Sequence, residues 1–434
     1  MNVFVSTLFP QLYTEFLSTS IIKRAILESK VSVVLQDMFS LVAPKQRIDS
    51  EVIGHGNGML LGAPIIEKVY NKVEIEVGKK PFVIFFSPHG KTLNQDLLKD
   101  IYANIADRPV LLFSGRYEGF DVRAEEAYAD AIISIGDYVL FGGDLPIMIF
   151  LESILRLVPG VIGKKESVEE DSFSGAFLDH PHYALPDEWN NKKVPSVLKS
   201  GDHKKIAQWR LEESVKRTIK NNWNWIFNHN LTMKEKSIVK KSIPNHYCLL
   251  LHNDVVLPGN LIGTSSVTSI DIHDIARSTT TYGIVKYFIV TRLPAQKKLV
   301  EKFLQFWQEG DKAQINASRA FALQHVVLKS ELAEVIEEIT AIEGKSPITI
   351  VTSSRRNVDH ANMISYHDQG DIWKQEKPIL FIFGTSHGID PLLIEKFNYK
   401  LLPIEGLEEF NFLSVRSAAA IVFDRWLGFN STKK

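Results

Sequence analysis

The sequence predicts an α/β protein with two mostly parallel sheets and a basic helical stretch between them. Three observations carry this. Short, nearly all-apolar runs without helical period recur through residues 1–160 and again from about residue 245. Stretches of helical spacing separate them, and alternating strands and helices build parallel βα units. A polar stretch, GKKESVEEDSFSG (163–175), and a helix-rich segment interrupt the alternation.

In chain order, PFVIFFS (81–87) reads as a buried strand, Leu93 to Ile105 as a helix, and VLLFS (110–114) and AIISI (131–135) as further strands. Helical spacing returns at Leu145, Ile149, Ser153 and Arg156. From 176 the chain is helix-rich, with residues 202–220 its clearest helix. Between Lys199 and Lys241 lie 11 Lys/Arg against 4 Asp/Glu, and Trp209, Trp223 and Trp225 fall in the same stretch. These tryptophans read equally as core residues of a small helical domain or as stacking platforms. YCLLLH (247–252), VKYFIV (285–290), SPITIVT (346–352) and KPILFIFG (377–384) are the strands of the last domain. The expected division is 1–162, a linker at 163–175, a helical domain at 176–242 and a second α/β domain at 243–434.

Composition bounds the function. Of 434 residues, 45% are hydrophobic and 23% charged, which excludes a disordered, collagenous or coiled-coil chain. The net charge is −1, so nucleic-acid binding has to come from a local patch such as 199–241. Cys248 is the single cysteine, which excludes an intramolecular disulfide and a cysteine-based zinc site. The N-terminus lacks a basic n-region, and the most apolar stretch, Leu145 to Gly163, is broken by Glu152 and Arg156. The expectation is a cytoplasmic protein without a membrane span.

Three loops follow strands of the first domain: SPHGK (87–91), GRYEGFD (115–121) and SIGDYVLFGGDLP (134–146). Ligands of open α/β sheets bind beyond the carboxyl ends of strands. None of the three is a GxGxxG dinucleotide loop or a GxxxxGK[ST] phosphate loop. Read singly, each is better explained as a plain turn, and only the three together weaken that reading.

LFP (8–10), GML (58–60), GRYEG (115–119), SIGDYVLFGGDLP (134–146), PGVIG (159–163), EDSF (170–173), LDHPHY (178–183) and WRLEESVKRT (209–218) occur in this order. Together they resemble the bacterial tRNA (guanine-N1)-methyltransferase family, TrmD, from the N-terminus to about residue 242. The resemblance implies the SPOUT fold, whose deep trefoil knot binds S-adenosylmethionine, and an obligate homodimer with a shared active site. It also implies methyl transfer to N1 of the guanine 3′ of the tRNA anticodon. Guanine N1 carries a proton and is a poor nucleophile until a base removes it. Negative charge then builds on O6 and calls for a donor. Asp171 matches the family's general base and Arg156 its catalytic arginine. Read alone, Asp171 ends an acidic run that would ordinarily be a solvated face, and Arg156 a helix-surface residue. The cofactor positions implied by match are Ser87, Pro88, Gly115, Tyr117, Glu118, Gly119, Ile135, Gly136, Tyr138, Leu140, Gly142 and Gly143. Glu118 and Asp179 are where the family's Mg2+ dependence would act, although the residues alone define no metal site. The basic segment corresponds to the family's tRNA-binding domain, and no membrane or DNA partner is implied. The stretch DSEVIGHGNGM (49–59) departs from the family, with Ser50 in place of an acid and His55 among the glycines.

IDIHDIARSTTTYG (270–283), FGTSHGID (383–390), LLPIEG (401–406) and FLSVRSAAAIVFDR (412–425) resemble a second SPOUT-type RNA methyltransferase domain, over about 245–429. The resemblance places S-adenosylmethionine at Gly384, Gly388, Pro403, Ile404, Leu413 and Ser414, and an RNA-facing arginine at Arg277. Asp271, His273 and Arg416 are lesser candidates. Read on residues alone, Arg277 is equally a helix arginine paired with Asp274. Two readings of this domain stay open: a second enzyme in a fusion protein, or a non-catalytic module for binding RNA or S-adenosylmethionine or for dimerisation.

Overall fold

The computed structural model describes residues 1–54, 56, 58–162, 171–308, 317–355 and 361–430, apart from the side chain of Gln308. His55 and most of the predicted linker therefore lie outside the described residues. The chain divides into two compact units, Met1–Ser174 and Gly175–Lys434.

The first unit holds a five-stranded parallel sheet of β1 (Asn2–Thr7), β2 (Ser32–Asp37), β3 (Phe82–Thr92), β4 (Val110–Phe113) and β5 (Ala131–Ser134), in the order β2-β1-β4-β3-β5. The central parts of β1, β3 and β4 are apolar because both faces are covered there. Val3, Val5, Ile84, Leu112 and Ile133 face helices Gln95–Ile105 and Asp144–Leu155, while Phe4, Val83, Phe85, Leu111 and Phe113 face helix Ala63–Val77. The strand predicted at 81–87 extends to Thr92, because Lys91 and Thr92 pair again with β5 beyond a register shift. A short antiparallel ribbon, Asp49–Glu51 with Met59–Leu61, carries the divergent stretch.

The second unit holds seven parallel strands: β6 (His246–Leu251), β7 (Tyr287–Val290), β8 (Val326–Lys329), β9 (Ile348–Thr352), β10 (Met363–Ile364), β11 (Ile379–Gly384) and β12 (Tyr399–Leu401). Their order is β8-β7-β6-β11-β9-β12-β10. Tyr247, Leu249, Phe288, Leu380 and Ile382 pack on one face against Val335 and Ile339 of helix Leu332–Glu343. Cys248, Leu250, Ile289, Ile350 and Phe381 pack on the other against helices Ser269–Thr281 and Val415–Leu427. Helices His203–Asn221, Trp223–Phe227 and Met233–Ser242 build into the same core through Val215, Ile219, Ile226, Ile238 and Val239. Helix 203–221 starts at Asp202, whose carboxylate accepts from the Lys204 and Lys205 N–H groups. Helix 233–242 starts in a reciprocal Thr232–Glu235 capping box.

Two buried histidines tie this unit's stability to pH. His246 Nε2 accepts from the indole N–H of both Trp373 (3.1 Å) and Trp426 (3.2 Å), so the ring is neutral with its other nitrogen protonated. Burial pushes His246 down to about 3 and His252 down to about 4. The unfolded chain takes up both protons below about pH 6.5, whereas the folded chain excludes them. Stability therefore falls as pH drops below that value, by about 1.4 kcal/mol per pH unit for each histidine until the folded values are reached. Denaturant unfolding followed by tryptophan fluorescence at pH 7.5 and 5.0 should show this loss. Equal stability at the two pH values would contradict it.

Candidate active sites

In the first unit the loops that follow β4 and β5 meet, whereas SPHGK (87–91), expected as a third loop, lies within β3 at its register shift against β5. The Gly143 N–H donates to the Gly115 carbonyl at 2.7 Å, and Arg116 bridges to Gly142. A Cβ on Gly143 would stand 2.7 Å from Gly115 N and 3.0 Å from Ser114 Cα, so only glycine lets the two loops touch. Loop 115–121 is further held by the ribbon: Glu118 N–H donates to the Met59 carbonyl and Leu61 N–H to the Gly119 carbonyl. Tyr138 stacks over Gly136, and its hydroxyl donates to the Ile135 carbonyl at 3.3 Å. Tyr117 and Tyr138 are both exposed, so neither is a core aromatic. Gly115, Tyr117, Glu118, Gly119, Ile135, Gly136, Tyr138, Leu140, Gly142 and Gly143 thus lie on the two loops that follow β4 and β5, while Ser87 and Pro88 lie within β3 where its register shifts.

Two supports of this site went unnoticed in the sequence. Asp144, at the start of helix 144–155 and almost fully buried, accepts from Thr7 Oγ1 (2.6 Å), Tyr13 OH (3.0 Å) and Arg116 Nη2 (2.6 Å). The Arg116 guanidinium lies over the Phe9 ring at 4.5 Å. Burial, reinforced by the Asp144 carboxylate, pushes the Tyr13 hydroxyl far above its usual value. This network ties the LFP, GRYEG and GGD motifs together. Secondly, Ser87 Oγ lies 2.7 Å from His89 Nδ1, and His89 Nε2 lies 3.2 Å from the Glu125 carboxylate. Burial raises the Glu125 carboxyl, and the facing His89 opposes that rise. The detectable signals were the charged residues inside otherwise apolar, glycine-rich loops.

Arg156 Nη2 pairs with Asp171 Oδ2, so the two expected catalytic residues meet. Arg156 caps the C-terminus of helix 144–155, and Asp171 begins a turn closed by Ser174 N–H on its carbonyl. Both side chains are over 40% exposed. Glu169 and Glu170, the rest of the acidic run, lie outside the described residues.

The second unit has a cleft of about 820 Å3 beyond the ends of β9, β11 and β12. Gly384, Gly388, Pro403, Ile404, Leu413 and Ser414 all line it, as do Asp271, Thr385 and Arg355. This volume suits a nucleoside-sized ligand. Asn411 Nδ2, in the lining, is a buried atom without a hydrogen-bond partner among the described residues, and so offers itself to a polar ligand. Ser265 Oγ bridges His252 Nδ1 (3.0 Å) and Thr385 Oγ1 (2.5 Å), fixing the segment between β6 and helix 269–281 to the end of β11. The residues present therefore fit S-adenosylmethionine here.

Arg277 lines a smaller adjoining hollow with Asp274, Tyr282 and Arg416, and Arg416 lines both cavities. Arg416, not Arg277, pairs with Asp271 (3.1 Å) and Asp274 (3.7 Å). His273 packs edge-on to Phe303 and Trp307 and stands away from the cleft lining. A Cβ on Gly384 would stand 2.5 Å from Ile389 Cγ1 and 3.1 Å from its N. Gly384→Val is expected to abolish ligand binding in this cleft alone. Isothermal titration with S-adenosylmethionine should drop from two sites per chain to one; two retained sites would contradict the assignment.

Of the tryptophans, Trp223 lies edge-on to Trp373 at 4.7 Å within the core, so it is no stacking platform. Trp225 donates to the Gly175 carbonyl at 3.0 Å, and Trp209 lies 6.3 Å from Tyr183.

Residues 1–228 match the family model for tRNA (guanine-1)-methyltransferase TrmD, and residues 245–428 that for SAM-dependent RNA methyltransferase. The chain is 33% identical over 434 residues to a tRNA (guanine-N(1)-)-methyltransferase of Nitratidesulfovibrio vulgaris, covering 99% of both chains. It is 33% identical over 435 residues to one of Oleidesulfovibrio alaskensis, again covering 99% of each. It is also 41% identical over 240 residues to a tRNA (guanine-N(1)-)-methyltransferase of Fusobacterium nucleatum, covering 55% of this chain and 97% of that one.

Proposed function

The chain belongs to the tRNA (guanine-1)-methyltransferase TrmD family, and on that premise we propose that it transfers a methyl group from S-adenosylmethionine to N1 of the guanine 3′ of the tRNA anticodon. The second unit then acts as a second S-adenosylmethionine-dependent RNA methyltransferase. The observation that carries the first assignment is the Arg156–Asp171 pair. Guanine presents N1–H and O6 side by side, a donor next to an acceptor. A carboxylate next to a guanidinium is the matching edge. Asp171 accepts the N1 proton, and Arg156 stabilises the charge that builds on O6. The bound donor supplies an electrophilic sulfonium methyl, so the nucleophile is the group that has to be made.

One distance argues for a shared site. Gly143 precedes and Arg156 follows the 12-residue helix 144–155. At 1.5 Å per residue its ends lie about 18 Å apart. A cofactor held at the Gly143 loop is thus out of reach of the same chain's Arg156 and Asp171. On this reading a second copy supplies one half, and the enzyme works as a homodimer. Tyr138, Val139, Phe141, Leu145 and Ile149 are exposed on this stretch. Such an apolar run is what a partner would cover. The knotted SPOUT arrangement of the loops goes with this reading. So does a tRNA-binding role for the helical stretch 176–242, whose Lys and Arg would neutralise phosphates.

Mixing two inactive variants tests the sharing. Asp171→Ala keeps the cofactor loops, and Gly143→Ala keeps the catalytic pair. Their heterodimer rebuilds one intact site, so co-refolded protein should regain guanine methylation that neither variant shows alone. No recovery, with heterodimers demonstrably formed, would overturn the shared site. The second unit's enzymatic reading rests on the cleft. No described helix is long and apolar enough to cross a membrane.

A further inference from the structure

The extended segment Leu178-Asp179-His180-Pro181-His182 brings three metal-ligating side chains to one point. His180 Nδ1 lies 2.9 Å from Asp179 Oδ1, and His182 Nε2 lies 2.7 Å from Asp179 Oδ2. The two imidazole centroids are 4.5 Å apart, and one ligand atom from each residue falls within 4.8 Å of the other two. Ions of the zinc class bind nitrogen and oxygen at about 2.0–2.2 Å, so neighbouring ligand atoms sit roughly 3–3.5 Å apart. Movements on the order of an ångström bring this cluster to that geometry.

The segment is held from outside. Leu178 N–H donates to Thr218 Oγ1 at 2.8 Å, and Arg217 donates to the Asp179 carbonyl at 3.2 Å. Both partners stand on helix 203–221, and Thr218 is fully buried. The ligands are thus presented by a fixed backbone, which lowers the ordering cost of binding. His180 is mostly buried and His182 open to solvent, so an ion has one wet side for water ligands.

The donor set decides the class of ion. Mg2+ demands oxygen ligands and keeps its waters, and two imidazoles with one carboxylate do not fit it. Imidazole suits zinc, cobalt and nickel. We propose that Asp179, His180 and His182 form a binding site for one divalent transition ion, outside the cleft of the second unit. The ion ties together the segment that leads into the basic helix.

The test is Co2+ titration of the full chain, read by its visible d–d absorption, with Zn2+ competition. One equivalent per chain is expected, displaced by Zn2+ and untouched by millimolar Mg2+. The His180→Gln/His182→Gln double variant should lose that equivalent. His182→Gln alone, which alters one exposed ring and spares the fold, should weaken it by about 10–100-fold. Equal uptake by wild type and His182→Gln, or displacement by Mg2+ at concentrations comparable to Co2+, would overturn the proposal.

Discussion

Replacing Asp171 by alanine is expected to slow methyl transfer to tRNA by about 10²–10⁴-fold, the worth of a positioned general base. That corresponds to about 2.7–5.4 kcal/mol of barrier. The affinity for S-adenosylmethionine should change little, because Asp171 acts on the guanine and is not among the residues assigned to hold the cofactor. Stability should not change either, since an exposed ion pair is worth about 0–1 kcal/mol. Asp171→Asn should be nearly as slow, because an amide accepts a hydrogen bond but not a proton. Arg156→Ala removes the O6 donor and should cost about 10²–10³-fold. The two groups act on one guanine, so the double variant should lose less than the product of the two single losses. Single-turnover rates with saturating donor check all of this. A full rate for Asp171→Ala would remove the base from the account.

The second large effect is structural. Asp144→Ala strips a buried carboxylate from Thr7, Tyr13 and Arg116 at once. Leaving a buried charge without its partner costs about 3–5 kcal/mol. For a domain of this size, that lowers the melting temperature of the first unit by roughly 6–20 °C. Cofactor affinity should fall with it, because Arg116 carries the loop that touches Gly142 and Gly143. Asp144→Asn keeps one acceptor oxygen and should recover part of the loss. A melt unchanged in Asp144→Ala would mean that the network contributes nothing to stability.

The sheets were legible because burial on both faces writes itself as unbroken apolar runs. The predicted strands at 110–114, 131–135, 247–252 and 346–352 each fall within two residues of β4, β5, β6 and β9. β12 is three residues long, with a fully buried lysine, Lys400, in its middle. A strand that short leaves no pattern in a sequence. The loops were found by their glycines and by family resemblance, but not their mutual contact. Gly143 against Gly115 and Arg116 against Asp144 join residues 28 apart, and no local period encodes such a pair. The Arg156–Asp171 pair was reached as two separate matches, and only folding puts the guanidinium on the carboxylate. Arg277 and Asp274 share a helix at pairing distance in sequence, yet Arg416 from helix 415–427 takes the carboxylate. Trp223 lies in a basic stretch and packs inward, because helices 203–242 need an apolar side to join the core.

The most direct measurement of the central claim uses unmodified tRNA transcript and labelled S-adenosylmethionine, with the methylated nucleotide mapped for wild type and Asp171→Ala. The account predicts one N1-methylated guanine, immediately 3′ of the anticodon, in the wild type and its near absence in the variant. A label at any other atom, or one undiminished by the substitution, would contradict it.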